Sequence, residues 1–412
     1  MTSHYYGWKI VAALFVILIF SSGFGFYNHA VMLQALIEDK ALPITVASTA
    51  VSIFFLSSGL VGLFVSSAIE KYDIRYVITV GAVVAAASLL AIGYVETAWQ
   101  LFFCYSLFGV GFCASGLLPA TTLVTRWFEN KRAIALSVTS TGLSVGGVLI
   151  TPMSALLIEH RGIEFSVGIF AAIYFIGTVP VCWWVLKDDP GDIGLTVDGH
   201  KLDASNIVKV HGKTLTSAMK GRYFWGLSLA YVFLMLAQVG GIAHHYGIVG
   251  KYLSGEEAAM ALGVIPIASI IGRLLGGYLL EYFNSKMFSI VMMILQSVSL
   301  ASLASASTVP LFIISLALFG ITIGNLLMLQ PLLIAETFGR REYSRIYSAS
   351  NFLSTLGVAA GPLLMGIIYQ QLESYESAYR VASLAGVLGL FIFLYAISQR
   401  EPAINTTDSQ HK

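Results

Sequence analysis

The sequence predicts an all-α membrane protein of twelve spanning helices, folded as two related six-helix halves. Three observations predict it. Of 412 residues, 57% are hydrophobic and 11% charged, against about 25% charged in an average soluble domain, so a soluble surface of this size cannot be assembled. Mean hydropathy is +0.80, and long apolar stretches recur along the chain. Segments of the first half also return in the second at a nearly constant offset. The balance of 23 basic against 22 acidic residues excludes intrinsic disorder and a nucleic-acid binder that relies on bulk positive charge.

Crossing the hydrocarbon core takes about 20 apolar residues in helix, because backbone polar groups find no water there. By that criterion six spans fall at 8–34, 45–69, 76–95, 99–125, 133–158 and 165–186, and six more at 224–249, 256–280, 287–306, 310–334, 344–370 and 376–398. The first stretch, Trp8 to Leu33, is too long for a signal-peptide core and lacks a small-residue cleavage site, so it is expected to stay in the membrane. The long polar segment Lys187 to Arg222, with Asp-Asp-Pro-Gly at 188–191 and Val-Asp-Gly at 197–199, divides the halves. The expected organisation is an N-terminal bundle at 1–186, a cytoplasmic linker at 187–222, a C-terminal bundle at 223–399 and a cytoplasmic tail at 400–412.

Lys and Arg collect on the cytoplasmic side of short loops. The termini and the loops after even-numbered spans carry 18 of them, the opposite loops 4. Both termini are therefore expected in the cytoplasm of a multi-pass protein of the cytoplasmic (inner) membrane. Cys104, Cys113 and Cys182 each lie in an apolar run, without metal-ligand spacing. No metal, cofactor or disulfide is expected. The Asn405-Thr406-Thr407 sequon falls on the predicted cytoplasmic tail.

The repeat is read from loops as well as helices. Trp127-Phe128-Glu129-Asn130-Lys131-Arg132, followed by Gly147 and Pro152, returns 210 residues later as Thr337-Phe338-Gly339-Arg340-Arg341, Gly357 and Pro362. Glu70-Lys71-Tyr72-Asp73 returns at an offset of 211 as Glu281-Tyr282-Phe283-Asn284. Parallel repeats about an axis along the membrane normal account for this pattern.

The loop Ser66-x-x-x-Glu70-Lys71-x-Asp73-x-Arg75 resembles a degraded form of the G-x-x-x-D-R-x-G-R signature of the major facilitator superfamily. Gly277-x-x-x-Glu281-x-x-Asn284-x-Lys286 resembles its second copy. Tyr6-Gly7-Trp8-Lys9-Ile10-Val11, Trp127-Phe128 to Arg132-Ala133-x-Ala135, and Ile271-Gly272-Arg273 are similar to segments of the monocarboxylate transporter and oxalate/formate antiporter group. This resemblance, over nearly the whole chain, implies the major facilitator fold and a carrier that rocks two bundles around a midplane site. It also implies that Glu70, Arg75 and Glu281 latch the bundles on the cytoplasmic side, the two acids docking near the N-termini of the eleventh and fifth helices. The alternative for these charges is an ordinary solvated loop.

Arg273 is the one basic residue far from both ends of a span. An ionisable group there costs roughly 2.5 kcal/mol or more, so it normally faces a cavity or a partner. Ser269, Gly276 and Gly277 share its helical face. Its fixed charge and forked donors match a carboxylate, which makes it the expected substrate anchor, as the resemblance also implies. The other reading is a structural arginine that caps carbonyls or pairs with a distant acid. Carriers of this group often place an acid four residues before the arginine, where this chain has Ser269. Similar oxalate carriers have a lysine in the eleventh helix, where Tyr347-Ser348-Ala349-Ser350-Asn351 offers none. A single deep positive charge balances a single negative one, which favours a monocarboxylate over a dianion.

Proton coupling needs a group that titrates near neutrality, and His29, His244 and His245 are the candidates, with interfacial hydrogen bonding as the alternative for each. The last two are adjacent, so they point about 100° apart and cannot share a site. Asn28, Tyr105 and Asn351 are further expected substrate-lining residues, since the first, fourth and eleventh helices border the cavity in the family fold. The expected function is secondary transport of a small monocarboxylate of the lactate, pyruvate or formate kind, by proton symport or anion exchange, in a monomer. The alternatives are another organic anion such as oxalate, or a sensor that retains the carrier fold. No catalytic constellation suggests an enzyme.

Overall fold

The computed structural model describes residues 5–38, 40, 42–199, 212–253 and 255–398. The tail at 400–412, with its sequon, and linker residues 200–211 lie outside the described residues. Among the described residues ten helices are long and apolar enough to cross a membrane. One of them, Arg132–Val185, is two spans, and the helix Gly255–Leu279 adds another through its apolar part Gly263–Leu279, so twelve spans result.

In chain order, α1 comprises Gly7–Ser22, a π turn at Gly23–Tyr27 and His29–Glu38. It is followed by α2 (Ile44–Lys71), α3 (Ile74–Ile92) and α4, whose parts Ala98–Ser115 and Leu117–Trp127 meet at Gly116. Helices α5 (132–161) and α6 (163–185) are joined by Gly162 alone, at φ 74°, a left-handed conformation that glycine adopts without steric penalty. The second half contains α7 (Arg222–Ala243 and His245–Tyr252, broken at His244), α8 (Gly255–Leu279), α9 (Ser285–Leu303), α10 (Val309–Phe338), α11 (Tyr343–Leu372) and α12 (Tyr375–Ser398). The single-residue hinge at Gly162 and the break in α7 are the main departures from the spans expected.

The repeat is visible in the devices that hold the helices. Asp73 starts α3 by accepting a hydrogen bond from the Arg75 backbone N–H at 2.9 Å. Asn284, 211 residues on, starts α9 by accepting from Lys286 N at 2.9 Å. Such caps contribute about 1 kcal/mol each. On the opposite face Lys40 pairs with Glu164 at 2.5 Å, and Lys251, again 211 residues on, pairs with Glu376.

The apolar core falls into three clusters. One unites both halves near the linker, from Ile10, Val65 and Trp127 to Leu227, Met292 and Phe338. Toward the opposite face each half has its own cluster, around Phe54 and Phe170 in the first and around Phe312 and Tyr379 in the second. The bundles are thus fused on the linker side and have separate cores on the other.

The linker is fastened to both halves. Asp188 pairs with Arg126 and accepts from Ile74 N at 3.2 Å. Burial pushes its carboxyl above the usual range, and Arg126 opposes the shift. Asp198 accepts from the Glu129 and Asn130 backbone at 3.2 and 3.0 Å. Beyond the undescribed stretch, Gly212 bridges Gly339, Lys213 N donates to Phe338 O at 2.8 Å and Leu215 N to Glu342 Oε2 at 2.8 Å.

Candidate functional site

Arg273 projects from α8 into the seam between the halves and is completely buried. Its Nε donates to Gly324 O on α10 at 2.9 Å, and its Nη1 to Ser140 O on α5. Among the described residues Nη2 has no hydrogen-bond partner. The Ser137 hydroxyl of α5 donates to the Arg273 carbonyl at 2.5 Å. Two structural details let these elements meet. Gly324 lacks a Cβ, which would stand 2.3 Å from Ser269 O and 3.1 Å from Arg273 Cβ. Asn325 Nδ2 donates to Gly272 O at 2.9 Å and holds α8 against α10. Among the described residues no carboxylate is recorded in an ion pair with the guanidinium. Arg273 therefore caps carbonyls, one of the two readings the sequence allowed, and still keeps a free nitrogen.

The small-residue face around Arg273 divides between two neighbours. Ser269 Oγ lies 3.3 Å from Ser144 Oγ of α5, and Gly277 packs on Ser137, where a Cβ would come within 2.3 Å. Gly276 packs on Asn325. The missed participants are Ser137, Gly324 and the Ser140 carbonyl. Ser137, Ser140, Thr141 and Ser144 recur at helical spacing, which was the available signal for a polar face on α5.

The remaining lining candidates separate. Asn28 is fully buried with both side-chain polar atoms unpartnered. Asn351 is half-buried on α11, and its carbonyl accepts from Thr355. Tyr105 is packed in the core of the first bundle, its ring 5.9 Å from that of His29. His29 sits among Phe54, Phe55, Tyr105 and Phe108 with Nε2 unpartnered. At the break in α7 His244 Nε2 meets Pro362 O at 3.0 Å, while His245 Nδ1 meets Ile242 O at 2.8 Å.

On the linker face Glu70 reaches the first turn of α11. Its Oε1 accepts from Ser344 Oγ at 3.0 Å, and its Oε2 lies 2.8 Å from Arg345 Nε, without hydrogen-bond alignment. Arg340 Nη2 donates across the seam to Arg126 O at 2.5 Å. Arg75 does not reach the other bundle; it binds Asp73 through two nitrogens, at 2.5–3.0 Å, and stacks on Trp183. This pair holds the Asp73 carboxyl below the usual range, so its support of α3 is complete above that range and fades as pH falls through the lowered value.

Glu281 is exposed, with no ion pair recorded among the described residues, and it does not dock on α5. The physical reason lies in the repeat: the positions 211 residues before Ser344 and Arg345 are Ala133 and Ile134, which offer neither hydroxyl nor charge. Near the α5 terminus the acids are instead Glu129 and Glu336, the latter hydrogen-bonded by Ser285.

The Glu70–Arg345 pair is partly exposed, 23% and 40%, so it contributes at most about 1 kcal/mol and is screened by salt. Spin labels at Lys71→Cys and Arg341→Cys should show the linker face opening modestly as salt rises. In Glu70→Gln that salt response should vanish; an unchanged response would assign closure to other groups.

Two helical bundles with a shared apolar core and a buried cation at their seam define a polytopic membrane protein. The model of the Major Facilitator Superfamily matches residues 15–252 and 235–412, and the chain belongs to that family of membrane transporters. It is 26% identical to the MFS transporter asaE of Aspergillus flavus, over 84% of this chain and 76% of that one. It is 24% identical to the MFS-type transporter YcxA of Bacillus subtilis (94% and 95%), and 23% identical to monocarboxylate transporter 9 of Mus musculus (95% and 92%). The solved MFS transporter FucP in the outward conformation is similar in fold, with a TM-score of 0.72 at 14% identity, over 94% of this chain and 98% of that one.

Proposed function

We propose that the protein is a secondary transporter of a small monocarboxylate, with Arg273 as the anchor of the carboxylate. The observation that carries this reading is a fully buried guanidinium with a free Nη2 and no carboxylate partner among the described residues. Such a charge is costly to leave unpaired in low dielectric, and a carboxylate supplies the missing partner. The similarity to monocarboxylate transporter 9 supports the same substrate class. One deep charge favours a monoanion over oxalate. In this reading the linker face lies in the cytoplasm of the inner membrane, the fused core closes the carrier on that side, and the carrier works as a monomer.

The test is uptake into liposomes holding the purified protein, with labelled lactate, pyruvate, formate and oxalate, with and without an imposed pH gradient. At least one monoacid should move faster than oxalate; oxalate outrunning every monoacid would refute the charge matching. Acceleration by an inward proton gradient identifies symport, with His29, His244 and His245 as the groups to substitute. Dependence on a trapped counter-anion identifies exchange.

A further inference from the structure

A guanidinium offers a carboxylate two edges, Nε with Nη2 or Nη1 with Nη2. Both edges need Nη2, the nitrogen that is free. Neither edge is complete as the protein stands, because Nε is held by Gly324 O and Nη1 by Ser140 O.

The two bonds differ in what moves with Arg273. Gly324 belongs to the same bundle and travels with it. Ser140 belongs to the other bundle, so any rocking that parts α5 from α8 removes that carbonyl. Ser137 adds a second link across the same seam through the Arg273 carbonyl, at 2.5 Å. The related seam between α2 and α11 has no guanidinium at the equivalent place: the position 211 residues before Arg273 is Gly62, packed on Ser348, and the link there is Ser344 Oγ donating to Ser66 O at 3.3 Å. Closure there rests on Glu70 and Ser344 instead.

We infer that Arg273 is an anion-released lock between the bundles, with Ser137 as the positioning residue that sets it. Without a guest the guanidinium is spent on Ser140 and holds the linker face shut. A carboxylate arriving at Nη2 gains its second N–H by drawing Nη1 off Ser140, and α5 and α8 are then free to part. This rests on the reading of Arg273 as the anchor. It adds that the anion and the Ser140 carbonyl compete for one nitrogen, so loosening the lock must tighten binding by the same factor.

The experiment uses the full chain in nanodiscs, with Cys104, Cys113 and Cys182 replaced by alanine and nitroxides at Lys131→Cys and Phe283→Cys. Distance distributions are recorded with and without acetate, L-lactate or pyruvate, and binding of each acid is measured by calorimetry. A bound acid should raise the long-distance share. Ser137→Ala should raise it about three- to tenfold without acid, the ratio for one net hydrogen bond, and bind acid more tightly by a matching factor. Ser137→Thr, which keeps the hydroxyl, should restore both values. Acid that binds without moving the distances overturns the lock, as does Ser137→Ala matching the parent in both readouts. Failure of the parent to bind any acid overturns the transport reading itself.

Discussion

Arg273→Ala is expected to abolish carboxylate uptake, with a loss of at least about 100-fold. Removing one partner of a buried, hydrogen-bonded charge pair costs about 3–5 kcal/mol, and each 1.4 kcal/mol is about tenfold. The carboxylate would enter the seam with no positive charge to meet it. Arg273→Lys keeps the charge but presents a single ammonium in place of a planar fork, so an intermediate loss of about tenfold is expected. Initial uptake rates in liposomes measure both, with monodispersity as the control for folding, since the alanine variant also leaves Gly324 O and Ser140 O without their donor. Full uptake by well-folded Arg273→Ala would make the residue purely structural.

The second large effect is on folding. Gly357 of α11 packs on the backbone of α7, where an added Cβ would lie 2.0 Å from Val232 O and 2.8 Å from its carbonyl carbon. Backbone cannot step aside as a flexible side chain can, so Gly357→Ala must separate two helices that pack backbone to backbone in the second bundle. Overpacking of this kind costs about 1–3 kcal/mol and more when the obstacle is rigid. Gly168 of α6 has nothing within 4 Å of a built Cβ. There alanine meets open space and gains up to about 1 kcal/mol of helix propensity. The two substitutions should therefore move the melting temperature in detergent in opposite directions, with Gly357→Ala losing most of its monodisperse protein. Equal behaviour of the pair would refute the close packing of α7 and α11.

The spans were legible because membrane crossing imposes a length and a composition that few loops imitate. Arg273 was legible for the complementary reason: a charge inside such a run stands out. Its partners were hidden, because every residue has a carbonyl and nothing in the letters marks those of Ser140 and Gly324. The expected docking of Glu281 treated the two loop signatures as equivalent, although a latch needs a receiver as well as an acid. Ser344 and Arg345 provide one for Glu70; Ala133 and Ile134 provide none for Glu281. The fastening of the linker depends on backbone groups at Asp198 and Gly212, which composition alone reads as a polar spacer.

The fused apolar core on the linker side has a thermal consequence. In the proposed rocking cycle, reversing the molecule wets hydrocarbon surface on that face before the separate cores opposite can merge, and newly hydrated apolar area raises heat capacity. The barrier to turnover then has an enthalpy that varies with temperature, so an Arrhenius plot of transport bends instead of running straight, and its curvature reports how much of that seam is open at the summit of the cycle.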